Sequence, residues 1–197
     1  MNSIKQAIRQ INAGISRISG DKKTITFVST SDNIAQQTLM VNMGLMYAYA
    51  NEKVIIVDTD FDSDRMKDTF KIRSEFGLSN FLDSQISDFS KVIQNISGQS
   101  VDIIPSGSLL ESDTDYLIAD PKFNALISYL AENYDRVLIN TPNFKQIDSL
   151  DSLINTSDGF VLTISSGNTQ KRVVYNILKA LRKHNAKLFG YVEVKKG

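Results

Sequence analysis

The sequence predicts an α/β domain in which a mainly parallel sheet lies between two layers of helices, a three-layer sandwich. Short apolar runs rich in β-branched residues recur along the chain, and helical patterns separate them. The runs are nearly continuous rather than alternating, which is what parallel strands covered on both faces require. Strand and helix keep alternating over most of the 197 residues.

Taken in order, the N-terminal segment 1–20 is helical, with its pattern clearest over 3–18. TITFVS (Thr24–Ser29) is the first strand and a helix follows over 34–50, where Met43, Met46 and Tyr47 read as core packing. VIIVD (Val54–Asp58) and VDIIP (Val101–Pro105) are the second and third strands. A helix over 121–133 leads into RVLIN (Arg136–Asn140), and one over 147–155 leads into GFVLTIS (Gly159–Ser165). The last helix, 169–184, ends at His184, where a cation suits the helix dipole, before a sixth strand, LFGYVEV (Leu188–Val194).

Length and composition place residues 1–197 in a single domain. Apolar residues make up 42%, too many for a disordered chain. The absence of cysteine excludes a disulfide scaffold, a thiolate zinc site and a cysteine nucleophile. No run approaches the roughly 18 apolar residues of a membrane span, and the N-terminus lacks the apolar core of a secretory signal. A cytoplasmic location is expected. Lysine plus arginine and aspartate plus glutamate both total 22, yet the charge is uneven. Thirteen acids face five bases between Asp58 and Asp120, whereas the segment from Lys171 onward is basic. Ordinary solvated helix faces account for this, and head-to-tail association or docking on an anionic surface is the alternative. Balanced charge without aromatic–basic interleaving argues against nucleic acid as a partner.

Ligands of such sheets bind beyond the carboxyl ends of the strands. Three segments occupy those positions: Ser29–Thr38, Asp58–Asp64 and Asn140–Asn143. Together they resemble the bacterial tyrosine kinases (BY-kinases) of capsular and exopolysaccharide gene clusters, P-loop proteins related to the Min/Par-type ATPases. EFGLSNFL (Glu75–Leu82) is similar to that family's GLS-x-x-L segment, and VDIIPSG (Val101–Gly107) to its strand-then-PxG turn. YDRVLINTPN (Tyr134–Asn143) is similar to its YDxVIIDTPP and SDGFVLTI (Ser157–Ile164) to its ADGxLLV strand. The resemblance covers essentially the whole chain and implies a P-loop NTPase-like fold.

It also exposes departures. Where the family's phosphate loop reads P-G-E-G-K-S-T, this sequence, anchored on Asn42, reads Asp32-Asn33-Ile34-Ala35-Gln36-Gln37-Thr38. Asn33 and Ala35 replace glycines that let backbone N–H groups wrap phosphates. Gln36 replaces the lysine, Gln37 replaces the magnesium-ligating serine, and Thr38 alone is retained. A charge pair at about 4 Å is worth roughly 4 kcal/mol at an effective dielectric near 20, so losing the lysine alone is expected to cost on the order of a hundred-fold or more in affinity. Asn140 replaces the carboxylate that ends the family's fourth strand. Asp58 and Asp60 match its D-x-D, which makes them a relic catalytic pair, with Asp58 the candidate for metal and general-base work. The blander alternative is solvated aspartates at a strand end, or a carboxylate capping the next helix. An EF-hand over Asp58–Asp64 fails, because its glycine position is Ser63 and its twelfth is Thr69. Of the family's N-terminal E-x-x-R-x-x-R, only Arg9 remains over Gln6–Asn12, and no terminal tyrosine cluster is present.

The resemblance therefore implies a catalytically impaired relative, a pseudo-kinase, serving as scaffold or regulator of capsular or exopolysaccharide synthesis and export. Its partner would be a membrane chain-length-determinant protein whose cytoplasmic tail recruits it to the inner face of the membrane. An active tyrosine kinase paralogue and a homo-oligomer are further expected partners, and no cofactor is expected. The alternative is an active ATP-dependent tyrosine kinase with an altered phosphate loop, using Mg-ATP or ADP, with Arg65 or Lys67 replacing the lost lysine. A Min/Par-type positioning ATPase is a third reading.

Overall fold

The structure, a computed structural model, describes residues 2–19, 23–30, 34–96, 98, 100–109, 116–143, 150–166 and 171–195. The elements run α1 (Asn2–Ser19), β1 (Thr24–Ser29), α2 (Ile34–Tyr49), β2 (Val54–Asp58), α3 (Arg65–Phe70) and α4 (Leu78–Asp83). They continue β3 (Gln94–Asn95), β4 (Val101–Ile104), α5 (Pro121–Asn133) and β5 (Arg136–Asn143). The chain ends α6 (Leu150–Thr156), β6 (Gly159–Ser166), α7 (Lys171–Lys183) and β7 (Leu188–Lys195).

The strands form one sheet in the order β3-β4-β2-β5-β1-β6-β7. Every pairing is parallel except β3 with β4, so the sheet is mainly parallel, as expected. Side-chain alternation sorts each strand between two helical layers. Val54, Ile56 and Leu138 pack with Ile25, Phe27 and the buried residues of α1 and α2. Ile55, Val57, Val137 and Ile139 pack with α4, α5 and Leu153 of α6 on the other face. Val28, Phe160 and Leu162 meet Ile154 of α6 and Ile177 and Leu181 of α7. Tyr47 and Met43 are core residues and Met46 packs at the margin of the core. The Tyr47 hydroxyl also donates to Asn12 Oδ1 at 2.9 Å, tying α2 to α1.

Four features depart from the sequence expectation. β3 adds a short antiparallel edge strand, and two six-residue helices, α3 and α4, follow β2. β5 continues to Asn143, past its expected end at Asn140, because a register shift after Phe27 lets Ser29 pair with Asn143. His184 lies just past α7, with Nε2 3.0 Å from Asp151 Oδ1, so it contacts α6 rather than closing the helix alone. No helix among the described residues is long and apolar enough to cross a membrane.

The two sequence motifs between β2 and α5 pack directly on one another. Leu78 N donates to Pro105 O at 2.7 Å and Ser79 N to Ser106 O at 2.8 Å. Asn80 Oδ1 accepts from Gly77 N at 3.1 Å and from Ser108 N at 3.0 Å. A Cβ on Gly77 would meet Pro105 O, Gly107 N and Gly107 Cα at 2.4–2.6 Å, while Gly107 itself has φ +102°. Backbone approach this close admits no side chain. Gly77→Ala should therefore lower the free energy of urea unfolding by about 1–3 kcal/mol. Gly190→Ala, where nothing lies within 4 Å, should leave it nearly unchanged.

Candidate functional site

The carboxyl ends of β1, β2 and β5 converge where the strand order reverses, since the chain leaves β1 over α2 and enters β2 beyond the slot that β5 fills. Asp58 and Asn140 are register partners on adjacent parallel strands. Their side chains continue the Val54–Ile56 and Leu138 rows, so both lie on the face that α2 covers. The buried stripe of α2 comprises Gln36, Met40, Met43, Gly44 and Tyr47, which places Gln36 at the N-terminal end of a core-facing row.

These three residues form one buried hydrogen-bonded chain. Gln36 Nε2 donates to Asn140 Oδ1 at 2.8 Å and to the Thr141 carbonyl at 2.8 Å. Asn140 Nδ2 donates in turn to Asp58 Oδ1 at 2.8 Å. All three side chains are fully buried. The Asp60 backbone N–H donates to the same Asp58 oxygen at 3.2 Å. Asp58 Oδ2, Gln36 Oε1 and Gln37 Nε2 are buried with no hydrogen-bond partner among the described residues.

Electrostatics follow from the burial. Desolvation pushes the Asp58 carboxyl up to about 8, against the Asn140 hydrogen bond, which lowers it, and with help from the Asp60 charge. At neutral pH the carboxyl is mostly protonated. Asp58 and Asp60 are both buried, which corrects the reading of them as solvated aspartates. Neither caps the next helix, because the residue at the N-terminal boundary of α3 is Asp64.

The other expected site residues are placed as follows. Asn33 lies outside the described residues. Ala35 is half-buried and Gln37 buried, both in the first turn of α2. Thr38 is exposed, and its hydroxyl donates to the Ile34 carbonyl of its own helix at 2.8 Å. Lys67 is buried away from solvent among its own partners, with Nζ 2.6 Å from Asp64 Oδ1, 3.6 Å from Glu75 Oε2 and donating to Gly107 O at 3.2 Å. No cluster of three or more histidine, aspartate or glutamate side chains is arranged for a metal among the described residues. The structure thus brings Asp58, Asn140 and Gln36 together, turns the Thr38 hydroxyl back on its own helix, and engages Lys67 with Asp64, Glu75 and Gly107 while its charge still acts on Asp58. Sequence reasoning did not single out the Thr141 carbonyl, which a backbone atom's silence in sequence explains.

The fold is P-loop NTPase-like. The solved MinD protein from Pyrococcus horikoshii OT3, complexed with Mg-ADP, superposes with TM-score 0.68 at 20% identity, covering 86% of this chain and 68% of that one. The crystal structure of the chimerical protein CapA2B2 superposes more fully, with TM-score 0.84 at 24% identity over 96% of this chain and 84% of that one. No family model matches the chain. Its homologues are named bacterial tyrosine kinases, and the chain is BY-kinase-like. Tyrosine-protein kinase YwqD of Bacillus subtilis is 24% identical over 193 residues, 98% of this chain and 80% of that protein. Tyrosine-protein kinase CpsD of Streptococcus pneumoniae serotype 4 is 28% identical over 190 residues, 94% and 82% respectively.

Two outcomes follow for stability. A carboxyl whose pKa is raised on folding binds more protons folded than unfolded between about 4 and 8, so stability falls as pH rises through that window. Asp58→Asn should flatten this slope in urea-unfolding curves measured from pH 4 to 8 and should raise stability at the upper end. Gln36→Ala should cost about 1–3 kcal/mol at any of these pH values, because Asn140 Oδ1 and the Thr141 carbonyl lose their buried donor.

Proposed function

We propose that this chain is a BY-kinase-like protein without phosphotransfer activity, acting as a scaffold or regulator in capsular or exopolysaccharide synthesis and export. One observation carries the reading: the side chain at the phosphate-lysine position, Gln36, commits both of its N–H groups to Asn140 and the Thr141 carbonyl inside the protein. A phosphate arriving at the first turn of α2 would meet a neutral, engaged amide at position 36 in place of a cation. The fit to Mg-ATP is poor at each further point. Asp58 is buried and mostly neutral, Asn140 brings no charge, and the Thr38 hydroxyl is turned back on its own helix. Lys67, the nearest substitute for the lost lysine, is engaged by Asp64, Glu75 and the Gly107 carbonyl.

With nucleotide chemistry set aside, the reading assigns the chain to protein partners. The first is a membrane chain-length-determinant protein whose cytoplasmic tail docks on the domain, and the second is an active tyrosine kinase of the same kind in a mixed oligomer. The fold tolerates the altered loop because the buried strands, rather than the loop, supply the apolar area that stabilises it.

Isothermal titration with Mg-ATP and Mg-ADP tests the proposal, beside an Asn33→Gly, Ala35→Gly, Gln36→Lys, Gln37→Ser variant. The native chain should give no binding heat at millimolar nucleotide, and the restored chain should bind. Micromolar binding by the native chain would overturn the reading in favour of an active kinase with an altered phosphate loop.

A further inference from the structure

The sequence of α7, Lys171–Lys183, contains no acidic residue. Its exposed positions are Lys171, Arg172, Tyr175, Asn176, Lys179, Arg182 and Lys183, while Ile177 and Leu181 are buried against Phe160 and Leu162 of β6. At about 100° per residue the seven exposed positions fall within an arc of about 140°, and five of them are cations. The array runs about 18 Å along the helix, roughly two Debye lengths at physiological ionic strength, so neighbouring cations reinforce one another and each end meets a flat partner with its own local charge.

Nothing described neutralises this face. From Leu150 to Lys195 the chain has three acids, Asp151, Asp158 and Glu193. Asp151 pairs with His184, and Asp158 Oδ2 accepts from the backbone N–H groups of Lys23 and Thr24. None of the five cations has a carboxylate partner among the described residues. The sheet order adds a second asymmetry: α7 covers the β6–β7 edge, whereas the acid-rich stretch after Asp58 builds the opposite edge around β2, β4 and β3. The basic face can therefore approach an anionic surface without bringing the acidic half with it.

We propose that the outer face of α7 docks the domain directly on an anionic lipid surface. The apolar face of the helix is already buried in the core, so binding is peripheral and electrostatic rather than insertional. Five long side chains without a carboxylate partner among the described residues suit headgroups that rearrange laterally to meet them. Tyr175, 63% exposed in the middle of the array, presents an amphipathic ring of the kind that sits at headgroup level. A duplex or an acidic protein is the competing occupant. The single exposed ring among these cations, Tyr175, is not a row of aromatic groups for stacking bases.

The test is co-sedimentation of the purified full chain with vesicles of phosphatidylcholine alone and of phosphatidylcholine containing phosphatidylglycerol. The chain should sediment with the anionic vesicles only, and added salt should release it. Each cation removed should lower partitioning about five-fold, so Lys179→Gln/Arg182→Gln/Lys183→Gln should lower it on the order of a hundred-fold. Lys171→Gln/Arg172→Gln, at the other end of the helix, should lower it more than ten-fold, and it serves if the triple variant fails to melt like the native chain. Lys53→Gln/Arg73→Gln/Lys91→Gln removes the same charge from exposed positions elsewhere and should leave partitioning within a few-fold. Equal sedimentation with both vesicles, or equal losses in the α7 and control variants, would overturn the proposal. Indifference to vesicles combined with binding of duplex DNA or poly-glutamate would overturn it as well. No nucleotide enters the assay, so its outcome is independent of whether the phosphate loop is functional.

Discussion

The insertion of β5 between β1 and β2 is the constraint on which the rest of this molecule depends. It separates two strands that are consecutive in sequence, forces α2 to cross over the sheet, and aims the first turn of that helix at the ends of all three strands. It also sets Asn140 beside Asp58 in register, so the two polar groups must share a dry position under α2. Such a position tolerates a charge only when a counter-charge accompanies it. Gln36, Asn140 and a largely protonated Asp58 satisfy that condition by being neutral together.

Most of the architecture was legible in the sequence because parallel strands buried on both faces leave a coarse signature. The six expected strands correspond to six observed ones, and the five longer helices lie close to their expected spans. What escaped was short or locally ambiguous. Gln94–Asn95 has no apolar residue to mark it, and it becomes a strand only by pairing with Ile103 and Asp102. The six-residue helices after β2 span fewer than two turns, too few for a period to show. Thr141-Pro142-Asn143 reads as turn chemistry, yet these residues extend β5 because the pairing with β1 resumes after a shift.

The site was legible in its members and less so in its environment. Asp58, Asn140 and Gln36 could be singled out from the segments after the strands, but their burial was not foreseen. The signal was present as parity: Asp58 continues the row of Val54 and Ile56, and Gln36 stands one turn before Met40 on the stripe that ends at Tyr47. A polar residue in line with a buried apolar row has either a partner or a ligand. Here the partners are one another. The charge asymmetry of the last third was also visible, but its concentration on one arc of α7 required knowing which side of that helix the core takes.

The interlocked amides couple the side chains that positions 36 and 140 can accept. A carboxylate at position 140 would stand next to the buried Asp58 carboxyl, and the like charges would oppose ionisation of both. A lysine at position 36 would displace the donor that Asn140 and the Thr141 carbonyl share, and would enter a site with no ionised partner ready for it. Each substitution made alone is therefore unfavourable, and charges at positions 36 and 140 are acceptable mainly in combination.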